Sequence, residues 1–197
     1  MRLAVFVCLL LLSVLPATAA DTTRPLELGP AQLGMRANQL RFSALPANTK
    51  MVCGWDAEKP PGVEKTPLMM VGAMVTAKVD RCALFQDDGK NNWTPRPTQV
   101  GGVPTELWFL TIEDEAGTQR IFQIVGRQDP DKFPGTYAFL ADRWGPPVQK
   151  VPYFVRWLNG TNEGQMKESE DGVMIWLFDT KLHALMESRM PRGKTKK

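Results

Sequence analysis

The chain has a single histidine, His183, among its 197 residues. That scarcity removes most catalytic arrangements at the outset. A Ser-His-Asp or Cys-His site would have to use His183, which lies next to Leu182 and close to Leu185, and no Gly-x-Ser-x-Gly turn accompanies it. A packing or surface histidine is the favoured reading. Zinc sites draw on several His or Cys ligands, and a chain with one His and three Cys offers too few. No Gly-x-Gly-x-x-Gly or Gly-x-x-x-x-Gly-Lys-[Ser/Thr] is present, so two common phosphate cradles are absent. No cofactor and no metal are expected. Charge of one sign is also lacking. The net charge is +3, and Arg192, Lys194, Lys196 and Lys197 all fall in the last six positions. The remainder is nearly balanced, which suits a solvated surface and not a nucleic-acid footprint. Residues 191–197 read as a disordered basic tail, with weak contact to anionic lipid as the one role its charge suggests. Finally, no apolar run is long enough to cross a bilayer. The longest, Leu3 to Leu15, is broken only by Ser13 and reaches about 20 Å as a helix, against a hydrocarbon core of about 30 Å.

That short run has a different meaning. Arg2 precedes it, Pro16 follows, and Ala17-Thr18-Ala19-Ala20 supplies small residues for a peptidase. This is the layout of a cleavable secretory signal over residues 1–20, and it predicts a periplasmic protein. Cys8 leaves with the signal. Cys53 and Cys82 remain as an even pair in an oxidising compartment, which predicts a disulfide between them. No Cys-x-x-Cys is present to favour a redox role.

The pattern along the chain predicts α+β: an antiparallel sheet with two or three short helices in one domain over 31–190. Residues 21–30 read as a loose arm. Leu33, Ala37, Leu40 and Ala44 recur at helical spacing, and Pro46 ends the pattern. Met51 to Trp55 reads as a strand. Leu68 to Phe85 reads as one strand bent at Gly72, and 86–102 as a long turn-rich connection. Glu106 to Glu113 and Arg120 to Val125 flank Asp114-Glu-Ala-Gly117, a hairpin. Phe133, Tyr137, Leu140, Ala141 and Trp144 share one helical face, closed by Gly145-Pro146-Pro147. Val151 to Leu158 and Gly172 to Phe178 read as strands joined by a polar loop over 159–171. Lys181 to Met190 reads as a helix in preference to a continued strand. A faint echo at a spacing of about 100 residues suggests two halves, 31–102 and 103–190.

Several of these residues carry a resemblance. Leu33-Gly34-Met35 opens a short helix and a Cys-bearing strand follows. A later helix ends at Trp144-Gly145-Pro146, and Trp157-Leu-Asn-Gly160 and Ile175-Trp-Leu-Phe-Asp179 sit on strands. This layout resembles small exported proteobacterial proteins, and is similar to the SmpA/OmlA outer-membrane lipoproteins and the β-lactamase-inhibitor-protein fold. The lipobox Cys of the lipoprotein group is missing, so its anchor is not implied. The resemblance implies an α+β envelope protein that binds other proteins.

Acidic groups raise a second possibility, a carboxylate-based periplasmic hydrolase. Its pair would come from Glu113, Asp114 and Glu115 or from Glu168, Glu170 and Asp171. Both sets fall in expected turns with no apolar wall to raise a pKa, so solvated turn residues are favoured. Asp87-Asp88-Gly89-Lys90-Asn91-Asn92 holds oxygen ligands but fails the EF-hand spacing and reads as an Asx-rich turn. Asn92-Trp93-Thr94 and Asn159-Gly160-Thr161 are sequons with meaning only in a eukaryotic host.

The aromatics give the one positive functional sign. Trp108, Leu110 and Ile112 alternate with Leu107 and Phe109. Val173, Ile175 and Leu177 alternate with Met174, Trp176 and Phe178. A sheet with one solvated face would alternate with polar residues, so both faces are expected to be covered. Helices and loops cover them in the plainer reading. In the sharper one, part of a face meets an unidentified envelope protein or a second copy of the chain. Trp108, Phe109, Trp176 and Phe178 are the expected binding residues of a non-enzymatic accessory module, with Trp93 and Trp157 in reserve.

Overall fold

The computed structural model describes residues 26–191. The expected signal peptide, the first half of the arm and the basic tail beyond Pro191 lie outside the described residues. The described residues open with a two-strand hairpin, β1 (Glu27–Leu28) and β2 (Ala31–Gln32). Then come α1 (Ala37–Arg41), β3 (Thr49–Cys53), α2 (Ala73–Thr76), β4 (Val79–Asp87), β5 (Trp93–Pro95) and β6 (Thr98–Val100). The central hairpin is β7 (Val103–Glu113) and β8 (Gln119–Gln128). The rest is α3 (Phe133–Trp144), β9 (Gln149–Val151), β10 (Phe154–Asn159), β11 (Asn162–Ser169), β12 (Gly172–Asp179) and α4 (Thr180–Arg189).

Ten strands make one antiparallel sheet with a main path β3-β4-β7-β8-β12-β11-β10-β9, while β5 pairs with β4 and β6 with β7. Two runs of four strands thus meet at their last members, β8 and β12. Each run follows a helix, α1 or α3. The turn joining β7 to β8 is built by Asp114, whose carboxylate accepts the N–H groups of Ala116 and Thr118, with Gly117 at φ 76°. A register shift between Leu110 and Thr111 bends the hairpin.

The two sheet faces differ in cover. On one, called the α3 face, α1, α3 and the β1–β2 hairpin pack on Cys53, Cys82, Leu107, Phe109, Ile124, Trp157, Met166 and Ile175. Trp157 is 2% exposed, and its indole N–H donates to the Gly145 carbonyl at 3.0 Å. Trp144 meets it edge-on, centroids 5.3 Å apart. Gly145 sits at φ 84°, a conformation that ends α3 and that favours glycine. On the other, the α4 face, cover is partial. At one end Met186, with Leu182 and Leu185 beside it, packs on Leu110, Ile112 and Phe122. At the β3–β4 side Val63, Leu68 and Trp93 pack on Val52, Ala83 and Phe85.

The disulfide joins Cys53 to Cys82, which face each other across β3 and β4 and are fully buried. It clips down a proline-rich segment that has little core of its own. Closing a loop of this length should contribute about 3–4 kcal/mol on the chain-entropy account. The double variant Cys53→Ala/Cys82→Ala should lose that much in urea unfolding. An unchanged midpoint would show that the bridge does not constrain the unfolded chain.

The α+β reading and the disulfide stand, with four α-helices among the described residues in place of two or three. Other expectations need correction. The arm is not loose over its described part: Leu26 and Leu28 are buried against the sheet. The first helix is only Ala37–Arg41, because residues before it run along β8, where Gly34 N–H donates to Ile121 O and Ile121 N–H to Met35 O. The bend at Gly72 is a break, with α2 beyond it before β4 begins. The long connection carries β5 and β6, and the strand after α3 is split into β9 and β10. The polar loop at 159–171 is mostly a strand, β11. The boundary at 102/103 falls inside the first four-strand run.

Candidate functional site

Strand register places two of the expected aromatics together. On the α4 face, Ala83 pairs with Trp108, Trp108 with Val125, Val125 with Trp176, and Trp176 with Gln165. Trp108 and Trp176 are therefore two strands apart, about 10 Å between backbones. Each is half-buried. The neighbouring row runs Glu106, Arg127, Met174, Lys167, Phe154. On the other side lies Gln123, Phe178, Glu163, Leu158. From β12 outward, no helix of the described residues packs over this face. Met174, Trp176, Phe178 and Phe154 are half-exposed there, and Leu158 is exposed.

Trp108 is also part of a pocket of about 290 Å³. Its apolar lining includes Pro67, Leu68, Ala83, Pro95 and Pro97, while Arg81, Arg96, Arg127 and Glu106 supply charge. Leu68 comes from the loop before β4, and Pro95 and Pro97 from the β5–β6 segment. Prolines there cost no sheet hydrogen bonds at the ends of short edge strands and hold the wall with little entropy to lose. Arg81 Nη1 donates to Pro67 O at 2.9 Å, and its Nε is buried without an acceptor. Arg96 Nη1 donates to Gln86 at 2.8 Å. Arg127 Nε stands 3.7 Å from Glu106.

Further out, Arg156 and Glu163 form a two-pronged ion pair at 2.7 and 2.9 Å. Hydrogen bonds from Arg156, and then from Gln165, hold the Glu163 carboxyl below its ordinary range. A carboxyl whose folded pKa is lowered adds stability above its unfolded pKa, and loses it as pH falls through the folded value. The pair is partly exposed, so its contribution is small. Phe178 lies where the open face meets α4: His183 stacks edge-on to it, centroids 5.8 Å apart, and also nears Phe122. His183 is thus a packing residue at the rim, 3.7 Å from Glu187.

The other expected residues lie elsewhere. Phe109 is fully buried on the α3 face, opposite Cys82 in register. Trp157 is in the same core. Trp93 is 5% exposed and packs under the 63–68 loop. These three are structural. The pattern of the sequence missed Met174, Phe154, Arg127 and Lys167. Parity held a signal for them: once Cys82 is taken as inward, Phe109 opposite it is inward, and Trp108, Arg127, Met174 and Trp176 all point the other way.

The acidic sets do not meet. One lies at the β7–β8 turn and the other at the β11–β12 turn, at opposite ends of β8, about 30 Å apart at ~3.3 Å per residue. Glu113 is paired with Lys78. Asp114 is held by Arg120 at 2.5 Å, and this hydrogen bond is the main cause of its lowered pKa. Asp87 and Asp88 accept N–H groups from Gly89, Lys90 and Asn92, as an Asx-rich turn requires. Asp80, near Trp55 and Met70, has its pKa raised by burial, against hydrogen bonds from the Trp55 and Arg81 N–H groups. No cluster of three metal-ligating groups occurs among the described residues, and none of their helices is long and apolar enough to cross a membrane.

A larger cavity, about 760 Å³, lies beside β3. Apart from Glu58, its charges are engaged with one another or with backbone and ring: Arg41 pairs with Asp56 at 2.8 Å, Lys59 donates to the Gly54 and Asp56 carbonyls, and Lys50 sits over Trp93. The Trp108 pocket differs in character, with apolar walls and three rim arginines that share one lining carboxylate, Glu106, 3.7 Å from Arg127. Comparison of the chain with family models, with curated proteins and with solved structures finds no match.

Proposed function

We propose that this is an exported envelope protein that binds another protein through the α4 face, with Trp108 and Trp176 as anchors and Phe178 at the rim. One observation carries the reading. The tryptophans lie in one row of the sheet on either side of Val125, both only half-buried, where the cover of this face gives way. Aromatics left open on a folded sheet favour association, because a partner removes their apolar surface from water while leaving the fold intact. Such residues commonly dominate binding energy.

Export is part of the proposal. It is supported by the amino-terminal pattern and by a buried disulfide, a bond more at home outside a reducing cytosol. So is the likeness to small exported envelope proteins. The mirrored strand order supports a repeated unit of one helix and four strands, with its join near Asp129. Superposing α1-β3-β4-β7-β8 on α3-β9-β10-β11-β12 should bring the strands into coincidence; a poor fit would leave only a shared order. The binding role is tested by single substitutions on the two faces, with folding and partner affinity measured on the same samples. Loss of affinity confined to the α4 face is the expected result. Equal loss from both faces would remove the basis for the proposal.

A further inference from the structure

We infer that the Trp108 pocket takes one bulky apolar side chain from an acidic segment of the partner, an inference that rests on the binding role of the α4 face. The pocket's size bears on the anchor. A dry cavity of about 150 Å³ holds a benzene ring. At about 290 Å³, this pocket has room for one phenyl or indole group. Ligand pockets that enclose drug-sized molecules start near 300 Å³ and extend to about 1,000 Å³. The Trp108 pocket is at the bottom of that range, and it opens beside a wider apolar strip at Met174 and Trp176. A side chain inserted at Trp108 would leave its own backbone lying across that strip.

Charge indicates the sign of the segment. Arg81, Arg96 and Arg127 line the pocket with one carboxylate, Glu106. Among the described residues, neither Arg81 nor Arg96 has a carboxylate within ion-pair distance, and the Arg127–Glu106 contact is long and open to solvent. Lys167 follows Arg127 across Met174 in the same row, exposed and without an ion pair among the described residues. By contrast Arg156, farther out, is neutralised by Glu163. Arg81, Arg96 and Arg127 against the single carboxylate of Glu106, with Lys167 in the next row, leave a net positive charge around the two tryptophans. Arginine beside proline and tryptophan keeps a planar cation available for carboxylates while its stem covers apolar surface. Acidic residues flanking a bulky apolar one complement this arrangement, and basic flanks would be repelled.

The test uses three synthetic probes: acetyl-Glu-Glu-Phe-Glu-Glu-amide, the same peptide with Lys for Glu, and the acidic peptide with Ala for Phe. Each is titrated into ¹⁵N-labelled mature protein while the six indole N–H signals are followed. The acidic Phe peptide should shift the Trp108 signal and bind at least about tenfold more tightly than either control. Its affinity should drop between about 0.01 and 0.3 M salt. The pair Arg96→Glu/Arg127→Glu should abolish the preference while the rest of the spectrum stays dispersed. Equal binding of the acidic and basic peptides, equal binding of the Ala peptide, or no shift at Trp108 would each overturn the inference. If a partner still contacts position 176 in that case, the pocket inference fails alone and the binding face survives.

Discussion

Trp157→Ala should cost about 3–5 kcal/mol of stability, the range for removing a large aromatic from a core. For a domain of this size, that corresponds to a fall in Tm of roughly 6–20 °C. Three losses coincide at this site. The ring is nearly solvent-free, it fills the space between α3 and β10, and its N–H satisfies the carbonyl of Gly145. Its removal also leaves Trp144 without its edge-on neighbour. Urea unfolding followed by circular dichroism measures the effect. A loss under about 1 kcal/mol would mean that the site collapses around the gap and that the α3 face is less tightly packed than described. Phe109→Ala should behave in the same way, for it too is fully buried.

Trp176→Ala should do the reverse. The ring is half-exposed, lies outside the buried clusters, and has Val125 and Gln165 as its paired neighbours. Stability should fall by less than for Trp157→Ala, by about 1–2 kcal/mol, because the ring is only half-buried and leaves no closed cavity. Binding to the partner should weaken by about 2 kcal/mol or more, some thirtyfold. Trp108→Ala should weaken binding as well, but it is the less clean probe, because Trp108 also packs against both clusters on the α4 face. Isothermal titration against the captured partner, beside a denaturation curve for each variant, separates the two effects. Unchanged affinity with Trp176→Ala would take the central anchor out of the proposal.

What could be read from the sequence follows from how each element signals itself. The β7–β8 hairpin is legible because two apolar runs flank a turn whose Asp114 and Gly117 have defined tasks. The α3 helix is legible because its apolar face repeats at helical spacing and Gly145 ends it. The α4 helix is fixed by Asp179, whose carboxylate accepts the N–H groups of Lys181 and Leu182. By contrast β11 has almost no signal. Its core-facing residues are Gly164 and Met166, and a Cβ at Gly164 would press on Trp144, Leu177 and Leu26 at 3.2–3.3 Å. A glycine demanded by close packing therefore erases half of the alternation, and neighbouring strands impose the strand through backbone pairing. The short elements between Cys53 and Cys82 are hidden for a related reason: the disulfide and the loop cover, rather than local propensity, hold them in place.

The candidate site was half legible. Trp108 and Trp176 could be singled out, but Phe109 could not be separated from them, since both parities of β7 are apolar. Helix cover decides which parity is open, and helix cover is tertiary. The charged rim is less visible still. Arg81, Arg96 and Arg127 come from separate strands and loops, and only the sheet register brings them to one pocket.

The most direct test of the binding face is photo-crosslinking in living cells that make the protein. A benzophenone amino acid is placed at Trp176 or Phe154 on the α4 face, or at Phe139, which is exposed on α3 behind the sheet. The proposal predicts a discrete adduct with one other protein from positions 176 and 154 and none from 139; an adduct only with a second copy of the chain would replace that partner with self-association. It also predicts that Arg127→Glu/Lys167→Glu removes the adduct while the protein still accumulates with its disulfide intact. Adducts from 139 alone, or none from 176 and 154 in the folded protein, would contradict it.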